Sequence, residues 1–96
     1  MLELLRNAIL ERQEISFTYS GIARVARPVA LGRSRAGKDL LRCYQTQGGH
    51  VTPGHNWDLC ELALMSDVRG TGQTFAADPP GYQRGDPHMV LVYAEI

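Results

Sequence analysis

Arg24-Val25-Ala26-Arg27-Pro28-Val29-Ala30-Leu31-Gly32 follows the turn signal Tyr19-Ser20-Gly21 and is answered by Leu40-Leu41-Arg42-Cys43-Tyr44-Gln45. Apolar and polar residues alternate in both runs, glycine-containing turns bound them, and arginines recur opposite the apolar positions. The pattern describes a small sheet that presents cations from a packed core. Pro28 cannot donate to a ladder, so it places an edge, bend or bulge in mid-strand and predicts a sharply curved second strand.

Upstream, Leu2, Leu5 and Ile9 recur at helical spacing against Glu3, Arg6, Asn7, Glu11 and Arg12, which predicts an amphipathic helix within residues 1–13. From Glu14 to Ser20 the period becomes two: Ile15, Phe17 and Tyr19 share one face, making strand one. Downstream, Gly32 to Lys38 is a hairpin connection with Gly37 as its positive-φ residue, and Asp39 to Thr46 returns as strand three. Gln47 to Asn56 holds Gly48, Gly49, Pro53 and Gly54 and reads as an irregular loop, a candidate lid. Trp57 to Leu62 opens a fourth strand that bends or bulges through Val68 before Arg69. Residues 71–88 form an irregular segment pinned by Phe75 and Tyr82, and residues 89–96 a closing strand. The barrel core therefore covers residues 14–70. Five or six short strands with one helix imply a mainly β fold, a small, strongly bent and partly closed barrel.

The 96 residues make one domain spanning 1–96, large enough for a single core without metal or disulfide support. Ten basic and ten acidic residues cancel, which excludes attachment to nucleic acid mainly through a phosphate-neutralising field. The basic set is Lys38 and nine arginines, and planar guanidinium groups favour anionic or planar ligands. No apolar run has the length to cross a bilayer and residues 1–12 lack the layout of a signal peptide, so a cytoplasmic protein without membrane contact is expected. Cys43 and Cys60 each fall inside a strand pattern and read as buried, reduced thiols.

Arg24, Arg27, Arg42 and Tyr44 are the leading ligand-binding candidates, because a strand-borne side chain has its backbone already held by the sheet. The competing reading is a solvated charged face that protects strand edges. Arg33, Arg35 and Lys38 crowd the second hairpin tip, where Arg33 and Lys38 would steer an anion or simply keep the turn soluble. Trp57 is either a stacking surface for a base or a packing residue. His50 and His55 have no companion cysteine pair at zinc spacing, and Cys43 has no evident base. Ser66 and Asp67 lack a nucleophile elbow, and the glycine pairs precede no helix that would make a phosphate loop. No cofactor, metal or catalytic residue is expected, and the chain reads as a non-enzymatic module.

The order of Ile15-Ser16-Phe17-Thr18-Tyr19-Ser20-Gly21, Arg24, Arg27-Pro28, Leu31-Gly32, Leu41-Arg42-Cys43-Tyr44 and Trp57-Asp58-Leu59-Cys60-Glu61-Leu62 resembles the WYL domain of bacterial transcriptional regulators. The resemblance runs from the helix to Thr74-Phe75. Where that family carries its Trp-Tyr-Leu triplet this chain has Arg42-Cys43-Tyr44, and Leu62-Ala63-Leu64-Met65 stands where the family has an acid and an arginine. The resemblance implies an Sm-like, Src-homology-three-like barrel behind a helix, here stand-alone, that senses an anionic, nucleotide-like or nucleic-acid ligand in transcription regulation. The alternative is a protein-interaction or self-assembly module, a homo-oligomer or a partner-binding element without a small ligand.

Overall fold

The computed structural model describes residues 1–48 and 56–96. Helix α1 (Leu2–Leu10) is followed by strands β1 (Gln13–Tyr19), β2 (Ile22–Arg33), β3 (Asp39–Gly48) and β4 (Trp57–Glu61). A 3₁₀ turn (Leu62–Leu64) then leads to β5 (Met65–Thr74), and β6 (Leu91–Glu95) ends the chain. His50 and His55, and most of the loop expected between Gln47 and Asn56, lie outside the described residues. Among those described, no helix is long and apolar enough to cross a membrane.

All pairings are antiparallel, in the order β4-β3-β2-β1-β5, with β6 added to β2. The β1–β2 hairpin closes on Ser20 and Gly21, whose φ values of 52° and 74° give both central positions of the turn the left-handed geometry that a two-residue hairpin needs. Gly37 likewise takes positive φ in the β2–β3 connection, as its sequence position predicts.

β2 is the organising strand. Residues 22–26 pair with β1, and residues 30–33 pair with β6, while β3 follows the other edge from Arg24 to Arg33. The register slips between Pro28 and Ala30. Pro28 therefore acts as expected: its missing donor falls at a bulge, and the strand leaves one neighbour for another there.

Two expectations are corrected. The span after Trp57 is two strands, because the 3₁₀ turn breaks the apolar pattern at Leu62–Leu64 and β5 then runs to Thr74, into the segment expected to be irregular. Asp67, with φ of 52°, sits where the β1–β5 register slips, so a bulge lengthens that strand and blurs its period. The sheet is also open: among the described residues the ladder ends at β4 and β5 without joining them, so strand pairing does not close a barrel.

Each face of the sheet has its own apolar layer. On the inner face Ile15, Phe17, Leu31, Leu41, Cys43 and Cys60 meet Leu5, Ala8 and Ile9 of α1. On the outer face Val29, Ala30 and Leu40 are covered by Met89, with Trp57, Leu59 and Tyr82 alongside. The 75–90 segment thus straps the outer face. Arg12 starts it: its carbonyl accepts from Phe75 N–H (2.9 Å), and its guanidinium binds Asp78 (2.8 Å).

Candidate functional site

Period-two geometry puts Leu40, Arg42 and Tyr44 on the outer face of β3 and Leu41, Cys43 and Gln45 on the inner one. β4 pairs in register, Tyr44 with Trp57 and Arg42 with Leu59, so Trp57 is also outward. The strap crosses in front of these residues and leaves a hollow of about 210 Å³ lined by Arg42, Trp57, Gly81, Tyr82, Asp86 and His88, among others.

The rings are held at both ends. Trp57 Nε1 donates to the Pro80 carbonyl (2.9 Å), and the Tyr44 ring meets the indole edge-on with centroids 5.2 Å apart. Tyr44 Oη accepts from Asn56 Nδ2 (3.0 Å). Tyr82 faces Trp57 with planes 28° apart and centroids 6.5 Å apart, and its hydroxyl donates to the Ile96 carbonyl (2.9 Å). Burial, with Glu95 nearby, pushes the Tyr82 phenol above its ordinary range, which keeps it a donor.

The polar end is a charge-balanced trio. Arg42 Nε donates to Asp86 Oδ2 at 2.8 Å, and the Asp86 side chain is only 6% exposed. Asp86 Oδ1 accepts from the His88 backbone N–H (2.9 Å), and His88 Nδ1 lies 3.2 Å from both Asp86 Oδ1 and Arg42 Nη2. Burial pushes the Asp86 carboxyl up, but the hydrogen bonds from Arg42 and His88 outweigh it and hold the group below the ordinary aspartate range. One edge of the guanidinium is taken by Asp86, so Arg42 brings little net positive charge to the hollow.

The other sequence-predicted residues are dispersed. Arg24 pairs across β1 with Phe17 and so faces inward: it is 6% exposed, 3.5 Å from Asp58 and 5.3 Å from the Tyr19 ring centre. Arg27 lies over the Phe75 ring at 5.7 Å. Lys38 is bound to Glu61 (3.1 Å), and Arg33 is exposed beside the second hairpin. Convergence of the arginines on one concavity is therefore not what the fold builds. Arg24 and Arg27 are three residues apart on β2, so alternation alone puts them on opposite faces, and Arg27, although the register partner of Tyr44, lies against Phe75 and does not line the hollow. Arg42, Tyr44 and Trp57 are brought together. Asp86, His88 and the stacking role of Tyr82 carry no local signal beyond their place in a proline- and glycine-rich stretch long enough to cross a sheet face.

Cys43 and Cys60 are free thiols buried in the inner layer. A hydrogen bond to Cys60 together with complete burial pushes the Cys43 thiol well up, which leaves it protonated and a poor nucleophile.

No protein-family model, no characterised protein and no solved structure matches this chain.

Proposed function

We propose that this chain is a non-catalytic binding module that takes a planar, nucleobase-sized ring into the hollow under the 75–90 strap. One observation carries the reading: two aromatic side chains, Trp57 and Tyr82, line the same hollow as the Arg42–Asp86–His88 trio. Aromatic walls accept any flat π-face, and a polar end fixes its orientation. Size narrows the ligand. An apolar cavity of about 150 Å³ holds benzene, so a hollow of about 210 Å³ suits one ring with its substituents rather than a whole dinucleotide. Charge narrows it further: with Arg42 neutralised by Asp86, a phosphate alone gains little, and the base rather than the anionic tail is the recognised part of a nucleotide-like ligand.

The same reading keeps the small-barrel, WYL-like architecture. In its support, Glu61 N–H at the end of β4 donates to Tyr19 Oη (3.1 Å), and Met65 at the start of β5 pairs with Tyr19. The two outer strands thus meet on one residue of β1, as a bent sheet nearing closure would have them.

Trp57 is the sole tryptophan, so its emission reports directly on the site. Nucleosides, their monophosphates and a short single-stranded oligonucleotide should quench it saturably, and inorganic phosphate should not. Tyr82→Leu should weaken binding roughly 5- to 150-fold, the equivalent of about 1–3 kcal/mol of lost base stacking. Absence of quenching by every base-bearing ligand, or quenching that Tyr82→Leu leaves unchanged, would rule the reading out.

A further inference from the structure

The hydrogen-bonding side chains around the hollow are unevenly spent. Trp57 Nε1 is committed to the Pro80 carbonyl and Tyr82 Oη to that of Ile96. Asp86 is 6% exposed, with Oδ2 taken by Arg42 Nε and Oδ1 by the His88 backbone N–H. The carboxylate is thus turned to the protein and not to a guest. Arg42 differs. Its Nε and Nη2 reach Asp86 and His88, but none of its hydrogen bonds among the described residues uses Nη1. A guanidinium carries five N–H donors in a rigid plane. Asp86 and His88, themselves in contact, occupy its Nε side, so the opposite edge keeps a fork of two parallel donors, one on Nη1 and one on Nη2. The sheet holds this fork in place, because Arg42 pairs with Ala30 of β2 and Leu59 of β4 while Asp86 fixes the turn of the guanidinium.

Two parallel donors are matched by two adjacent acceptors on one flat edge. Guanine offers O6 and N7, and cytosine offers N3 and O2. Adenine sets its amino group beside each acceptor on its hydrogen-bonding edges, and uracil places N3–H between its carbonyls, so both bring a donor against a donor. A phosphate has paired acceptors but no flat face for Trp57 and Tyr82, and the charge of Arg42 is already offset by Asp86. His88, 60% exposed, and the exposed Gln83 stand at the open rim, where solvent satisfies them whichever base is bound. A site that would cover a donor pair rejects a partner leaving it unpaired more strongly than it rejects a misfit in size.

Granted the base-binding role on which this rests, we infer that the Arg42 fork selects the base by its edge. It takes a base with two adjacent acceptors, guanine through O6 and N7 or cytosine through N3 and O2, and discriminates against adenine and uracil.

Titration of Trp57 emission with guanosine, cytidine, adenosine and uridine gives a dissociation constant for each. Guanosine or cytidine should bind roughly 5- to 150-fold more tightly than adenosine and uridine, the worth of one bidentate pair. Exchanging one ring nitrogen for C–H locates the edge: 7-deazaguanosine should lose the advantage of guanosine, and 3-deazacytidine that of cytidine, with stacking left in place. Arg42→Lys, which keeps a charge beside Asp86 but has no fork, should level the affinities without abolishing them. Should that variant fail to fold, the deaza analogues read the same edge on the wild-type protein. Adenosine or uridine binding as tightly as the better of guanosine and cytidine overturns the inference. So does a deaza analogue that binds like its preferred parent, or a folded Arg42→Lys that keeps the preference. In each of these outcomes quenching persists and the base-binding role stands, whereas no quenching by any nucleoside removes that role and the edge selection with it.

Discussion

Arg24 and Arg42 occupy opposite faces of the same sheet and meet different partners. Arg24 is enclosed among Asp58 and the Tyr19 ring, where it contributes to the interior, whereas Arg42 closes the polar end of the hollow through Asp86. A largely buried, charge-assisted hydrogen bond of this kind contributes about 1.5–3 kcal/mol. Asp86→Asn should therefore destabilise the fold by that order at neutral pH, measured by urea unfolding. The pH dependence has a definite sign. Because the folded state holds the Asp86 carboxyl below its ordinary range, its contribution is complete above the ordinary aspartate range and is lost as pH falls through the lowered folded value. The gap between wild type and Asp86→Asn should be flat from neutral down to the ordinary aspartate range and shrink only in stronger acid. A gap that stays undiminished in acid well below the ordinary aspartate range would show that Arg42 does not hold Asp86 as an ion pair.

At the scale of elements, β2 and the strap depend on a close approach at Gly32. A Cβ there would sit inside van der Waals contact of the Leu91 carbonyl oxygen and 2.8 Å from Met89 Sδ. Gly32 is thus where β6 and Met89 come down onto β2. Gly32→Ala should cost about 1–3 kcal/mol, the usual penalty for overpacking. It should also loosen the outer layer first, seen as a shift in Trp57 emission before the inner core unfolds. Native emission and stability within about 0.5 kcal/mol of wild type, the range of a neutral surface change, would mean that the approach is not required. Gly32 was legible in the sequence only as a turn boundary. Its packing role depends on Leu91, some sixty residues away along the chain, and alternation carries no information about such a partner. The Ser20-Gly21 turn was legible because its whole cause lies within four adjacent residues.

Across the whole molecule, stability should be graded outward from β2, which alone among the described strands pairs with three others. Hydrogen exchange should find the slowest amides in its 24–33 stretch, with the outer strands β4 and β5 exchanging at least about tenfold faster through sub-global opening. Uniform protection across the sheet would instead indicate that β4 and β5 are locked together in solution. Alternation and turn chemistry, which act over a few residues, were enough to establish a mainly β domain, its leading helix, its hairpins and the bend at Pro28. They also marked Arg42, Tyr44 and Trp57. That Arg24 meets Asp58 while Arg42 meets Asp86, and that Asp86, His88 and Tyr82 complete a hollow with Trp57, depend on strands laid side by side and on a strap folded back across the sheet. Both are contacts between residues far apart in the chain, and their energies exist only once the chain has been brought together in space.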